Sequence, residues 1–173
     1  MNNPQEDFSK IYDDNVEKIY RFIFIKVNYQ DITEDLTSET FTRCWKIFKE
    51  NPQRISNIKA FLYQVARNLV TDYYREKGKA QIISADYLPV SDPDTDLEEK
   101  ALLNSDFDKI RIALTNINDD YQNVIIWHYL DELSIPEISG LIHKSEGAVR
   151  VMLSRALKSL KKELEKSQKA EPI

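Results

Sequence analysis

The sequence has little cysteine, glycine or histidine, and each shortage excludes a class of site. Cys44 is the single cysteine among 173 residues, so the chain can form neither an internal disulfide nor a metal site with several thiolates. The three glycines form no phosphate-binding loop, and no nucleophile is paired with a base. His128 and His143 have no partner ligands at metal spacing, which favours structural roles for both. We expect no catalytic residue, no metal, no cofactor and no small-molecule substrate.

Long apolar runs are also missing. No segment approaches the roughly 18 to 20 apolar residues that cross a bilayer. Residues 1–10 have no apolar core of the signal-peptide kind. We therefore expect a cytoplasmic protein without membrane insertion.

Charge is distributed unevenly along the chain, whose formal net charge is −5. Residues 80–106 carry seven acids and one base, a net charge of −6. Residues 54–79 carry six bases and two acids, and residues 144–169 carry eight bases and three acids, which gives +4 and +5. Because two basic zones flank an acidic one, the negative total does not exclude a protein that binds nucleic acid.

The first half of the chain has the periodicity of three helices. Apolar residues recur at helical spacing over residues 8–27. A second helix is predicted to open at Asp31, with Glu34 completing a capping box. Asn57 is predicted to cap a third helix, which ends around Gly78. Scarce glycine and abundant Leu, Ile, Lys, Glu and Arg support the same all-α interpretation.

The middle of the chain lacks periodicity and contains prolines, serines and aspartates, which indicates a flexible linker over residues 80–105. We predict two small helical domains, residues 5–79 and 106–168, on either side of it. Asp92, Asp94 and Asp96 resemble the start of a calcium loop, but Leu97 stands where such a loop needs glycine. We expect no calcium site there.

The second half ends in the pattern of a helix-turn-helix. Ser134 and Glu137 form a capping box for a short helix that ends near Ile142. A turn at 143–144 follows, and Ser145 is predicted to cap a long basic helix. A helix of this kind can place side chains near its start on base edges and later cations on phosphates. Its outward residues are predicted to be Arg150, Val151, Ser154, Arg155, Lys158 and Lys161.

The outer face of the predicted third helix mixes cations with tyrosines and amides. Rings can stack on single-stranded bases while cations follow the backbone. A solvated surface with some tyrosines explains the same pattern equally well, so these residues alone do not decide between the two. The set is Arg54, Lys59, Tyr63, Gln64, Arg67, Asn68, Thr71, Tyr74 and Arg75.

Three blocks of the sequence resemble the sigma-70 family of bacterial RNA polymerase sigma factors, in its extracytoplasmic-function (ECF) group. Residues 34–45, EDLTSETFTRCW, are similar to the family's EDLxQETFxRxW in region two. Residues 60–69, AFLYQVARNL, followed by Asp72, are similar to WLxxIARNxxxD. Residues 129–138 and 145–156 resemble region four. The blocks occur in the family's order over nearly the whole chain.

The resemblance implies partners and roles for the matching positions. The partners would be core RNA polymerase, promoter DNA and an anti-sigma protein. Asp35, Ser38 and Glu39 would bind polymerase, although Ser38 stands where the family usually has Gln. The residues expected at the melted −10 element are Arg54, Asn57, Lys59, Phe61, Arg67, Asn68 and Arg75. Those expected at the −35 element are Ser145, Arg150, Val151, Ser154, Arg155 and Lys158.

The turn departs from the family pattern, because His143 and Lys144 replace its usual glycine and apolar residue. Histidine tolerates a left-handed backbone better than most residues, so we expect the turn to form. Two other interpretations stay open. A stand-alone repressor or activator would use the helix-turn-helix without polymerase, and a metal-dependent nuclease would need a carboxylate cluster.

Overall fold

A computed structural model describes residues 3–81 and 99–170 of the protein. Within these ranges the chain forms seven α-helices and no strand, which confirms the predicted all-α class. The chain divides into two compact units, Met1–Ala85 and Asp86–Ile173.

The first unit is a bundle of three helices, α1 (Pro4–Val27), α2 (Gln30–Glu50) and α3 (Ile58–Gln81). Each helix packs against the other two. A single 3-10 turn, Pro52–Arg54, connects α2 to α3. Each helix buries one side, and the core residues include Ile19, Phe22, Ile23, Ile25, Phe41, Cys44, Leu62, Tyr63, Ala66, Leu69 and Val70.

The start of α2 differs from the prediction. The helix begins at Gln30, and its N-cap is Tyr29, which provides no side-chain hydrogen bond. The predicted capping box at Asp31 and Glu34 is therefore wrong, and Glu34 instead accepts a bond of 2.9 Å from Gln30 Nε2. The physical reason is the connection from α1, where the left-handed Asn28 (φ 59°) turns the chain and places Tyr29, rather than Asp31, at the N-cap of α2.

The third helix starts as predicted and ends later than predicted. Asn57 Oδ1 accepts a hydrogen bond of 3.1 Å from the backbone N–H of Ala60, which confirms Asn57 as the cap. The helix runs past Gly78 to Gln81. Gly78 does not have a positive φ, so it does not form the left-handed residue that ends many helices.

The second unit contains α4 (Glu99–Thr115), α5 (Asp119–Ile125), α6 (Ile135–Ile142) and α7 (Glu146–Lys169). A π-helical turn, Ile126–Leu130, extends α5. Helix α7 packs against the other three helices. Asn118 caps α5, because its side chain accepts from the N–H of Asp120 at 2.9 Å.

Part of the predicted linker is helical. Helix α4 begins at Glu99, so residues 99–105 belong to a helix rather than to a linker. The rest of the linker from residue 82, with the aspartates of the calcium-like pattern, lies outside the described residues.

The core of the second unit is built around the indole of Trp127, which is fully buried. The π-helical turn widens the helix next to this ring, and six consecutive residues from Gln122 to Trp127 are buried. The surrounding core residues are Ala113, Leu114, Val124, Ile125, Ile126, Leu133, Ile138, Val149, Leu153 and Ala156.

Cys44 is expected to be inert in the folded protein. It is buried in the first unit, and burial raises the pKa of its thiol to about 12. The thiol should therefore not react with an aromatic disulfide reagent at pH 8, and it should react at once in denaturant. Because the buried thiol ionises at a higher pH than the unfolded thiol, its contribution to the free energy of unfolding is full below the pKa of the unfolded thiol. That contribution is lost as the pH rises through about 12. Rapid labelling of the native protein would contradict the burial.

Candidate nucleic-acid interface

Helix α6 is the short first helix of a helix-turn-helix, and its start is fixed by a capping box. Ser134 Oγ accepts from the N–H of Glu137 at 3.2 Å, and Glu137 Oε2 accepts from the N–H of Ser134 at 2.8 Å. Pro136 stands in the first turn, where its missing N–H costs no hydrogen bond. The predicted capping box is confirmed.

The turn between α6 and α7 depends on His143, which has a left-handed backbone (φ 55°, ψ 42°). The N–H of His143 donates to the carbonyl of Ser139, and the N–H of Lys144 reaches the same carbonyl at 3.3 Å. Ser145 then caps α7 by accepting from the N–H of Ala148 at 3.1 Å. The expected turn forms despite the missing glycine, because histidine is among the residues that enter this region.

One side of α7 is buried and the opposite side is open. Val149, Leu153 and Ala156 recur at i, i+4 and i+7 and pack into the core. Val151 is 48% exposed near the start of the helix, where an apolar side chain gains nothing from water. All six residues predicted for the −35 element are exposed, namely Ser145, Arg150, Val151, Ser154, Arg155 and Lys158.

Arg150 has an acidic neighbour that the sequence analysis did not consider. Glu146 lies one turn earlier on α7, and its Oε2 is 3.5 Å from Arg150 Nη2. Both side chains are at least half exposed, and an exposed pair of this kind contributes little to stability. Arg150 can therefore leave Glu146 for a better acceptor at small cost.

The outer side of α3 and the segment before it form a second polar surface. Asn68 and Arg75 are exposed two turns apart on the helix, and Arg54 and Asn57 are exposed just before it. Lys59, Phe61 and Arg67 are half-buried, so their side chains border this surface rather than project from it.

Tyr63 does not belong to the outer surface of α3, and its predicted place there is wrong. The residue is 1% exposed. Its ring meets the ring of Phe22 edge to face, with 5.5 Å between the centroids. The pocket that α1 provides for the ring accounts for the difference.

The residues predicted to bind polymerase lie along α2. Asp35 and Ser38 are exposed, and Glu39 is half-exposed. Glu39 Oε1 accepts from Arg43 Nε at 2.6 Å, so this carboxylate has a cation of its own. Asp35 and Glu39 are one turn apart and share a face of the helix.

A groove of about 640 Å³ between α1 and α2 was missed by the sequence analysis. Ser38 and Glu34 stand on its α2 side. Trp45 follows helical spacing from the buried Phe41 but is only half-buried, and the centroid of its ring lies 5.2 Å from that of Phe8. Apolar spacing predicts which side of a helix faces the core, but it cannot show that α1 and α2 separate next to a given residue. The aromatic residues lining the groove are Phe8, Tyr12, Tyr20, Phe41 and Trp45.

Residues 3–81 and 99–170 bring together no group of three or more His, Cys, Asp or Glu side chains that could hold a metal ion. Over the same part of the chain, no helix has both the length and the apolar character that crossing a membrane requires.

Two family models match the chain, one in each unit. The model for sigma-70 region 2 matches residues 11–80, and the model for sigma-70 region 4 matches residues 108–160. A region 2 followed by a region 4 defines the class of protein as a sigma-70 factor.

Individual relatives narrow the class. ECF sigma factor SigM of Bacillus subtilis is 30% identical over 88% of this chain and 91% of SigM. ECF sigma factor BldN of Streptomyces coelicolor is 27% identical over 88% of this chain, which spans 58% of the length of BldN. The structure of the Bartonella quintana sigma factor RpoE, in complex with the anti-sigma factor NepR, shares the fold. Its TM-score is 0.67 at 20% identity, over 92% of this chain and 98% of RpoE. The chain belongs to the ECF group of the sigma-70 family, whose members are initiation factors rather than catalysts.

The left-handed turn makes a prediction about stability. Replacing His143 with Gly should stabilise the second unit by about 0.5–1 kcal/mol, because the strain of a left-handed Cβ outweighs the flexibility that glycine adds to the unfolded chain. The neighbouring Lys144→Gly is the control and should destabilise, since its φ is not positive. Urea unfolding followed by Trp127 fluorescence in a Trp45→Phe background measures both. Equal destabilisation by the two variants would contradict the strain at His143.

Proposed function

We propose that this chain binds core RNA polymerase and directs it to promoters by recognising duplex DNA at the −35 element and melted DNA at the −10 element. The observation that carries the proposal is the open side of α7. A helix-turn-helix whose second helix is capped by the exposed Ser145 presents five further exposed residues, Arg150, Val151, Ser154, Arg155 and Lys158, opposite a buried stripe. That arrangement suits a recognition helix in a major groove.

Helix α7 would divide its contacts between bases and phosphates. Arg150 and Arg155 can each pair with the two acceptors of a guanine. The hydroxyl of Ser154 can donate to or accept from a base edge. Val151 is exposed at the same end, where its methyl groups can contact a thymine methyl. Lys158 lies further along the helix and suits a phosphate.

Helix α3 would take the opened strand. The exposed Asn68 amide can both donate to and accept from a base edge. Arg54, Asn57 and Lys59 lie around the start of the helix, beside the half-buried ring of Phe61. Cations for the backbone and polar groups for the bases are the combination that single-strand binding uses.

Polymerase would dock on α2 and the adjoining groove. Asp35 and Glu39 provide negative charge on one face of α2, and Ser38 joins that face to the groove. The aromatic lining of the groove can take apolar side chains of a partner, because aromatic rings bury a large apolar area when they are covered.

The remaining proposals concern organisation and regulation. Residues 5–79 and 106–168 are the proposed functional domains, and the segment between them connects the end of α3 to the start of α4. Because RpoE was crystallised with an anti-sigma factor, we also propose that an anti-sigma protein restrains this chain. The site of action is the cytoplasm, where core polymerase and promoter DNA are found.

The decisive experiment is run-off transcription. Purified chain is added to core polymerase with a library of genomic promoter fragments, and transcripts are sequenced. New start sites that depend on the chain support the proposal. Binding to a palindromic duplex with no effect on polymerase would instead assign the chain to stand-alone regulators.

Substitutions in α7 should separate base contacts from phosphate contacts. Lys158→Ala should weaken promoter binding evenly across sequences and lower the salt slope by about one, because one fewer counterion is released. Arg150→Ala and Arg155→Ala should each cost about 1–3 kcal/mol and change the preferred −35 sequence. The control is Lys169→Ala, which removes the same charge in the last turn of α7, away from the proposed contacts. If none of the three altered binding or preference, α7 would not be the recognition helix.

Docking should depend on the acidic face of α2. Reversing Asp35 and Glu39 to Lys should abolish co-purification with core polymerase, since two favourable charge contacts become repulsive. The control is the same reversal at Asp13 and Glu17, which are exposed one turn apart on α1. Circular dichroism checks that both variants stay helical. Co-purification at the wild-type level by the α2 variant would disprove this docking face.

A further inference from the structure

The two helices of the helix-turn-helix begin with different contacts. Helix α6 is capped by Ser134, and the residue before the cap and the fourth residue of the helix are Leu133 and Ile138. Both of these apolar side chains are buried. Apolar residues at these two positions often pack together across a helix start, an arrangement called a hydrophobic staple. The start of α6 is therefore anchored in the core of its unit.

Helix α7 has only half of this arrangement. Its cap is Ser145, and its fourth residue, Val149, is fully buried. The residue before the cap is Lys144, whose side chain is exposed. A lysine thus stands where a hydrophobic staple needs an apolar residue. Because an exposed lysine buries no apolar surface against Val149, another contact has to fix the chain before α7.

That contact comes from a hydroxyl on α6. Ser139 Oγ donates to the carbonyl of Lys144, and the carbonyl of Ser139 accepts from the N–H of Lys144 at 3.3 Å. The same carbonyl accepts from the N–H of His143. Both backbone polar groups of Lys144 are therefore bound to one residue of the preceding helix. The lysine side chain takes no part in these bonds and stays exposed.

The charge of Lys144 is not balanced by a carboxylate. Glu146 is the nearest carboxylate along the chain, and it lies 3.5 Å from Arg150 instead. Within the two described ranges, 3–81 and 99–170, Lys144 forms no ion pair. An ammonium without a partner can bind a phosphate without first leaving a carboxylate. In this respect Lys144 differs from Arg150.

The position of Lys144 in the motif brings it close to a DNA backbone. In a helix-turn-helix complex the start of the second helix enters the major groove, while the first helix crosses the backbone. Lys144 lies between the two helices, two residues before α7 begins at Glu146. From Glu146 to Lys158 the helix rises about 18 Å, which exceeds the groove width of roughly 12 Å. Lysines at both ends of this segment can therefore reach phosphates on opposite sides of the groove.

We propose that Lys144 binds a phosphate at the edge of the −35 element and that the Ser139 hydroxyl positions the turn that presents it. The inference rests on the proposed function, in which α7 reads the −35 duplex. It adds a binding residue and a positioning residue that lie outside α7. A phosphate contact has no sequence information of its own, so Lys144 raises the affinity for every promoter and leaves base preference to the residues of α7.

Replacing Lys144 with valine separates DNA binding from folding. Lys144→Val completes the staple positions of α7, so the urea midpoint, followed by Trp127 fluorescence in a Trp45→Phe background, should be no lower than in the wild type. The holoenzyme should nevertheless bind a labelled promoter fragment, selected by run-off transcription, about fivefold to tenfold more weakly at about 0.1 M salt, with a salt slope lower by about one. The control is Lys169→Val, which removes the same charge in the last turn of α7 and should bind as the wild type does.

An uncharged phosphate locates the contact. A single methylphosphonate linkage is placed in turn at each phosphate of the −35 element and its flanks. One position should weaken wild-type binding about fivefold to tenfold and should not weaken the binding of Lys144→Val further, because the ammonium that this phosphate binds is already absent. If every methylphosphonate affected the two proteins equally, the phosphate contact would be overturned while the proposed function stands. Failure of the wild-type holoenzyme to bind any promoter fragment would instead count against the proposed function.

The positioning role of Ser139 is tested through Lys144. Ser139→Ala should weaken holoenzyme binding about threefold, because one hydrogen bond no longer holds the turn, and Ser139→Thr should restore it by returning a hydroxyl. In the Lys144→Val background, Ser139→Ala should change promoter affinity no further, since the hydroxyl acts on DNA through the lysine. An equal loss of affinity in both backgrounds would overturn the positioning role and leave Ser139 a structural residue of the turn.

Discussion

The rotation of two helices about their own axes is the constraint on which both candidate DNA surfaces depend. Burial of Val149, Leu153 and Ala156 fixes the rotation of α7, and burial of Leu62 and Ala66 does the same for α3. Each fully buried large aliphatic side chain contributes about 1.5–3 kcal/mol, so turning either helix by one residue would cost several such contributions. The outward residues are thus selected by the core. Neither surface needs stabilising contacts of its own, which leaves its polar groups available for a ligand.

Features set by local chemistry were the ones that the sequence could predict. The caps at Asn57, Ser134 and Ser145 each join a side chain to a backbone N–H three residues away, so a few letters are enough to identify them. The buried and open sides of α7 follow from 3.6-residue spacing in the same way. The all-α class follows from the sum of such signals.

Features set by a neighbouring helix could not be predicted. Tyr63 lies one turn from both Lys59 and Arg67, and this place in a polar stripe predicts an outward ring. The ring is buried instead because it packs against Phe22 of α1. The start of α2 depends on how α1 ends at Asn28, not on the carboxylates that imitate a capping box. The groove is a gap between α1 and α2, and amphipathic spacing in either helix alone contains no information about a gap.

Arginines on the two candidate DNA surfaces are paired with nearby carboxylates. Arg75 and Arg150 each have a carboxylate one turn away, Asp72 and Glu146, at the same distance of 3.5 Å. Because all four side chains are at least half exposed, each pair is weak and screened by salt. A phosphate must displace the carboxylate before it can bind the arginine, so non-specific attraction to DNA is reduced. A bidentate contact with a base remains favourable after the same displacement. A chain of net charge −5 with such pairs should therefore depend more on base contacts than an equally folded chain with unpaired arginines.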